Sequence, residues 1–290
     1  MLAVIVDTIG REKTSRTDVS RWYAAVVLLC LSVAALPAED ADEEKGLWQR
    51  FVDWRQERIE KTDSYSLAVQ GPSYAALQDT RMTPLIYRAL GGGLLFEGRT
   101  YRPEALVLTR FWFQFAYVLS DGAREGEISY FNPRGSGSTS YLRRLDSLPL
   151  AVGGFVDLTG NWRILQPMGN SSLNFDVIAS VGPEVRWEQS MTFFDRPARW
   201  HVGMSVPAVA YVIRSPAYAL SYQEPASFWA APWVFYRLRL STGIDRLLNH
   251  SDENRLAIDY HYDFYGLQEP SHSLTMGFHT ITIGYALKSK

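Results

Sequence analysis

Leu256, Ile258, Tyr260, Tyr262 and Phe264 alternate strictly with Ala257, Asp259, His261, Asp263 and Tyr265. A period of two is the signature of a β-strand, whose successive side chains point to opposite faces. One face here is apolar and aromatic. The other carries two carboxylates and an imidazole. The pattern recurs. Residues 104–119 set Val107, Phe111, Phe113, Phe115 and Tyr117 against Leu108, Arg110, Trp112 and Gln114. Residues 174–188 set Phe175 and Val177 against Asn174 and Asp176. Residues 199–213 set Trp200 and Val202 against His201 and Gly203. Residues 233–244 set Tyr236, Leu238 and Leu240 against Arg237 and Arg239, and residues 150–162 oppose Val156 and Leu158 to Asp157 and Thr159.

With 64–70, 86–97, 139–147, 256–265 and 272–287 these stretches predict about ten strands, within bounds of eight to twelve. Several exceed the roughly 5–6 residues usual in soluble sheets and suit a tilted membrane strand of about 9–11. Residues 121–137, rich in Gly, Asn, Pro and Arg, read as a loop, as does the stretch holding Pro216 and Pro225. Gly91, Gly92 and Gly93 lack the Lys-Ser/Thr pair and following helix of a phosphate loop. In a strand they mark a bend or a close backbone approach.

The N-terminal part behaves differently. Arg11, Lys13, Arg16 and Arg21 precede an apolar run from Trp22 to Ala38, which together read as a cleaved secretory signal over residues 1–38. The run is too short for a membrane span. Cys30 is the only cysteine and leaves with the signal; Leu29 before it argues against lipidation. Residues 39–45 are acidic. Residues 46–61 predict a short helix with Leu47, Phe51 and Trp54 on one face, which would plug the barrel or dock a periplasmic partner. Residues 62–290 form the remaining domain.

Composition narrows the picture. A formal net charge of −2 gives no basic footprint for nucleic acid. Nine Trp and sixteen Tyr suit membrane interfaces. The expected fold class is therefore all-β: an antiparallel transmembrane β-barrel of the Gram-negative cell outer membrane, porin-like in architecture, inverted so that apolar residues meet lipid and polar residues fill the lumen. The expected lipid-facing set is Phe111, Phe113, Phe115, Phe175, Val177, Trp200, Val202, Leu256, Ile258, Tyr260, Tyr262 and Phe264. The expected lumen cluster is Asp157, Asp176, Arg237, Arg239, Asp259, His261 and Asp263.

Arg81-Met82-Thr83-Pro84-Leu85, Ser140-Tyr141-Leu142, Asn174-Phe175-Asp176 with Gly182-Pro183, and Ser271-His272-Ser273-Leu274 are spread over residues 65–287. Through these segments the barrel part resembles a family of uncharacterised outer-membrane β-barrels of Bacteroides-type bacteria. The resemblance implies fold and location and no activity.

Candidate chemistry is sparse. Tyr101-Arg102-Pro103-Glu104 faintly resembles a segment of outer-membrane phospholipases, which carry His and Ser two apart on one strand. No His-x-Ser occurs here; His250–Ser251 and His272–Ser273 are adjacent. A nucleophile would have to reach His261 from a neighbouring strand, for example Ser241 or Thr275. Asp259, His261 and Asp263 share a face and could relay protons or hold a metal, but pairing with Arg237 and Arg239 explains them at less cost. His201 and His279 read as lumen or interface residues. No catalytic residue, metal ligand or cofactor is expected. The expected role is a structural or binding barrel or narrow channel with a largely filled polar lumen, whose partners are outer-membrane lipid and an unknown small molecule or surface ligand. The alternatives are an outer-membrane lipid hydrolase and a secreted soluble β-barrel with an apolar ligand inside.

Overall fold

The computed structural model describes residues 64–79, 87–120 except 103, 129–165 except 146–147, 173–215 except 195, 225–248, 254–269 and 272–287. The signal segment and the 46–61 helix lie outside these residues. The strands are β1 (Ser64–Asp79), β2 (Tyr87–Tyr101), β3 (Ala105–Ser120), β4 (Ser129–Leu145), β5 (Leu150–Leu165), β6 (Leu173–Phe193), β7 (Arg196–Ser205), β8 (Val209–Arg214), β9 (Ala226–Ala230), β10 (Phe235–Leu247), β11 (Arg255–Gln268) and β12 (Ser273–Leu287). All neighbours pair antiparallel. β7 and β8 are two lengths of one stave, as both pair with β6, on Glu184–Phe193 and Asp176–Val181. β9 and β10 form the next stave, pairing with β8 and β7. Twelve segments thus make ten staves, and β12 returns to β1 from Tyr65↔Leu287 to Asp79↔Leu274. The barrel is closed and exposes no sheet edge to lipid.

Three boundaries depart from expectation, each at a proline or glycine. β1 runs on past Gln70 through Gly71-Pro72, which form a bulge between Gln70 and Ser73 on both of its ladders. Proline is tolerated there because a bulge leaves its missing N–H without a ladder partner. Gly91 and Gly93 flank the same level on β2, where a Cβ would lie 1.9 and 2.0 Å from the Phe115 and Phe113 carbonyl oxygens. The triglycine therefore serves close backbone approach. The stretch 129–137, expected as loop, belongs to β4. Pro133 sits where the β4–β5 ladder skips from Phe131↔Ile164 to Arg134↔Asn161. β9 likewise occupies part of the loop expected around Pro225.

Both chain ends of the barrel lie at one mouth. Its connections are 102–104, 146–149, 194–195 and 248–254. At the other mouth they are 80–86, 121–128, 166–172, 215–225 and 269–272, longer on the whole. In the tightest turn Phe194 has φ 49°, in the left-handed region, and Arg246 donates to the Phe193 and Phe194 carbonyls at 3.0 Å each.

The wall is apolar outside. Leu90 is 67 % exposed and Phe111 59 %, and Phe113, Phe115, Val156, Leu158, Ile258, Ile281 and Ile283 are exposed with them. Trp200 and Val202 face outward, and Phe175, Val177, Leu256, Tyr260, Tyr262 and Phe264 hold the same face half-buried. Trp162, Trp229 and Trp233 lie toward the long-loop mouth, and Trp200, Phe193, Tyr141 and Tyr285 toward the other. Inside, Arg163, Arg186, Arg214 and Arg237 are fully buried. A soluble ligand-binding barrel would need Phe175, Val177, Trp200, Val202, Leu256 and Ile258 to point inward. They point outward, so that alternative is corrected. No helix among the described residues is long and apolar enough to cross a membrane; the barrel would cross with strands.

This polarity makes a direct prediction. Ile258→Arg puts a guanidinium on the lipid face at a cost of about 2–4 kcal/mol near the midplane. His261→Arg puts one in the lumen beside Asp259 and Asp263. The first change should lower the yield of heat-modifiable folded barrel in lipid vesicles far more than the second.

Candidate functional site in the lumen

Alternation delivers every second side chain of ten staves into one narrow space, and these side chains fill it in layers. Toward the long-loop mouth the filling is apolar: Leu77, Ile178, Val212, Phe235, Leu274 and Phe278 belong to one buried cluster. Toward the short-loop mouth Leu106, Leu108, Leu142 and Ala151 form a second. Charges lie between these clusters and beside them: Arg99 is register-paired with Leu108 and Arg186 with Ala151, and Asp176 and Arg214 pair near the long loops. The filling is thus mixed, with two apolar clusters set among the charges.

Arg237 is the centre of the first ionic network. Its Nε and Nη2 donate to both oxygens of Asp263, at 2.8 and 2.7 Å, the bidentate geometry that suits a planar guanidinium. Its Nη1 donates to Asp157 Oδ1 and Thr159 Oγ1, at 2.8 and 3.0 Å. Arg239 Nη2 donates to Asp157 Oδ2 at 2.6 Å, and Ser136 and Thr159 also donate to that carboxylate. Arg134 donates to Asp263 from β4 and lies over the Phe278 ring at 4.6 Å. β4 and β11 are five staves apart in a ring of ten, so this ion pair spans the barrel's full width. Asn161 of β5 and Met276 of β12 meet across another diameter, Nδ2 to Sδ at 3.2 Å.

The second network lies nearer the short-loop mouth. Glu184, Arg110, Glu97, Arg99 and Asp245 form a chain in that order, drawn from β6, β3, β2 and β10. Arg186 pairs with Glu188 at 2.7 Å, and His201 Nε2 lies 3.1 Å from Asp259 Oδ1. A third group near the long loops joins Asp176 to Arg163 and Arg214, and Arg214 to Glu269.

Of the seven lumen residues named from sequence, the structure brings Asp157, Arg237, Arg239 and Asp263 into one network. Asp176 belongs to the group at the long-loop side. Asp259 turns to His201. His261 packs edge-on against Trp112, with ring centroids 4.5 Å apart, and has Thr282 Oγ1 at 3.5 Å. Sequence reasoning missed Arg134, because it lay in a presumed loop. It passed over Glu97 and Arg99 too, although their spacing of two already put both on one face of β2. His279 lies on the outer face, where the Tyr260 hydroxyl meets its Nδ1 at 2.6 Å.

A cavity of about 50 Å³ separates the first two networks, bordered by Arg110, Gln114, Glu184, Arg237, His261 and Thr280. At about 10–15 Å³ for each water position it accommodates a few water molecules. For hydrolysis the geometry is poor. Ser241 stands opposite His261 in the β10–β11 register, yet no hydrogen bond joins them among the described residues. Thr275 pairs with Gly266 near the long-loop mouth, on the outward parity of β12. Neither hydroxyl is placed as an activated nucleophile must be.

A closed antiparallel barrel of ten staves, apolar outside and ionic inside, is a transmembrane β-barrel of the outer-membrane type. No protein-family model matches the chain, and no curated protein matches it. Among solved structures it is similar to the outer-membrane protease OmpT of Escherichia coli, with a TM-score of 0.41, 5% identity, and coverage of 78% of this chain and 97% of that one. It is similar to the translocator domain of the autotransporter NalP of Neisseria meningitidis, with a TM-score of 0.40, 7% identity, and coverage of 82% and 96%. The β domain of the Bordetella autotransporter BrkA gives 0.38, 12%, 78% and 99%. The assignment to a membrane rests on the barrel's own polarity.

Asp263 holds three guanidiniums within reach of one another, so its removal should be costly. Asp263→Ala leaves Arg237 and Arg239 with Asp157 as their remaining carboxylate and removes the Arg134 ion pair. Breaking such a buried pair costs about 3–5 kcal/mol. Urea unfolding of the reconstituted barrel, followed by tryptophan fluorescence, should show a loss of that size. A change of under about 1 kcal/mol would contradict the network as drawn.

Proposed function

We propose that this protein is an integral outer-membrane barrel with a sealed lumen, acting as a structural or ligand-binding barrel and not as a wide pore. The observation that carries the reading is the Arg134–Asp263 ion pair across the full width of the barrel. Arg237 joins the same carboxylate from the adjacent stave, and a buried apolar cluster lies on the long-loop side. Ions passing through would have to break this network and pass that cluster. The longer connections mark the mouth that faces the exterior, since barrels of this type have short periplasmic turns and longer outer loops. Those loops are the surface we assign to an external ligand, and residues 46–61 the segment we assign to a periplasmic partner. The kinship with uncharacterised Bacteroides-type barrels is part of this proposal. Its support is the short segments at 81–85, 140–142, 174–176 and 271–274.

Planar-bilayer recording tests the seal. Purified wild-type protein should give conductance steps far below those of a general porin, or none. The double variant Arg134→Ala/Asp263→Ala, which deletes the cross-lumen pair, should raise the frequency or size of openings. Porin-sized steps from the wild type would overturn the proposal. Detergent-solubilised protein should also leave phospholipid and lipid A acyl esters intact, and turnover abolished by His261→Ala would reinstate the hydrolase reading.

A further inference from the structure

In the second network His201, Gly243 and Asp259 form one row across three neighbouring staves. Gly243 of β10 is register-paired with His201 of β7 on one side and with Asp259 of β11 on the other. The missing side chain at 243 matters. A Cβ there would lie 1.8 Å from Asp259 Oδ1. Glycine at this position lets the imidazole and the carboxylate meet across an intervening strand. Asp245, two residues further along the same face of β10, completes a group of three whose ligand atoms all lie within 4.8 Å of one another.

Three further observations point to a ligand. First, the side chains are buried at 1 %, 3 % and 5 % exposure for His201, Asp245 and Asp259. Yet Asp245 Oδ1 has no hydrogen-bond partner among the described residues, and Asp259 Oδ1 has only the contact with His201 Nε2. Buried polar atoms are nearly always satisfied, so an unpartnered carboxylate oxygen here requires a cause. Second, Asp259 makes no ion pair with a guanidinium among the described residues; its partner is His201. Arg199 is register-paired with Asp245 but stacks on the Tyr101 ring at 4.3 Å instead. Third, Arg99 donates to Asp245 Oδ2 and leaves Oδ1 available to a ligand.

We propose that His201, Asp245 and Asp259 bind one divalent first-row cation, with Zn2+ the best fit, clasping β7, β10 and β11 from the lumen side. One imidazole nitrogen with two carboxylate oxygens is a donor set for zinc, where calcium and magnesium prefer oxygen alone. Ligands about 2.0–2.2 Å from a tetrahedral ion stand roughly 3.4 Å apart. His201 Nε2 and Asp259 Oδ1 are already 3.1 Å apart, so that edge is nearly formed. Asp245 lies within 4.8 Å of both and would close to roughly 3.4 Å on binding, and a water would complete the shell.

The test uses the whole barrel, refolded in detergent with an affinity tag that lacks histidine, stripped with a chelator and titrated with Zn2+. Calorimetry and elemental analysis should give one Zn2+ per folded chain, and the melting temperature should rise with bound metal. His201→Gln, Asp245→Asn and Asp259→Asn should each weaken binding at least tenfold and abolish the shift, with heat-modifiable mobility confirming that each variant folds. Should a variant fail to fold, wild-type protein loaded with Cu2+ supplies the second reading. Its electron paramagnetic resonance spectrum should show one coupled imidazole nitrogen and disappear on Zn2+ addition. Absence of stoichiometric uptake by the wild type, binding unchanged in folded Asp259→Asn, or a copper spectrum without imidazole coupling would each overturn the proposal and leave His201 and Asp259 as a simple ion pair.

Discussion

Backbone hydrogen bonding is the constraint on which the rest depends. Inside a bilayer an unpaired N–H or C=O has no water to turn to, so a sheet can cross only if its last strand returns to its first. Here the β1–β12 ladder closes the ring and β5–β6 carries it past the middle of the chain. Closure then dictates everything inward. Ten staves leave an interior narrow enough for side chains to fill. Alternation places half of the residues there, and lipid outside sends the polar half inward. The ionic lumen is thus a consequence of closing the wall and needs no binding function to explain it.

The outer wall was the most legible part of the sequence. Period-two alternation in 174–188, 199–213 and 256–265 identified strands and bounded their number at eight to twelve, and pairing in the structure makes it ten staves. Legibility failed where the wall bends. Pro72 and Pro133 read as the end of a strand and as loop, because proline ends a ladder in most sheets, whereas Pro207 fell inside the single strand expected over 199–213. Here they sit at a bulge, a skipped pair and the break between β7 and β8. At Pro207 the flanking amides of Val206 and Ala208 still bond to the Pro183 and Val181 carbonyls, at 3.2 and 2.8 Å. The stave therefore continues through a residue that cannot donate.

The interior was legible by residue and illegible by partner. Asp157, Arg237 and Asp263 could be sent inward from parity. Nothing in the spacing says that Arg134 crosses the whole barrel to Asp263, since that contact joins residues 129 positions apart. Nor does it say that His201 finds Asp259 across a glycine. Both depend on the order of staves and on their relative shift, which alternation along one strand does not record. The apolar clusters of the interior were hidden for a related reason. Met276 and Phe278 are inward residues of ordinary hydrophobic type, and sequence alone cannot separate a layer of them from a lipid face without the parity of the whole stave.

The buried charges also bear on how the wall finds its register. A slip of one residue in β10 would turn Arg237, Arg239 and Asp245 toward lipid and bring Leu238, Leu240 and Ile244 inside. Each arginine placed near the midplane costs about 2–4 kcal/mol, and the carboxylates left behind lose their partners. A slip of two residues keeps the faces but moves Arg237 by one inward position, away from the bidentate geometry on Asp263 and the contact with Asp157. The first error is excluded by the membrane and the second by the network. An ionic lumen that adds little net stability over an apolar one still discriminates between registers that hydrophobic packing would treat as nearly equal. In a wall built of similar aromatic and branched residues, that discrimination is what the charges contribute.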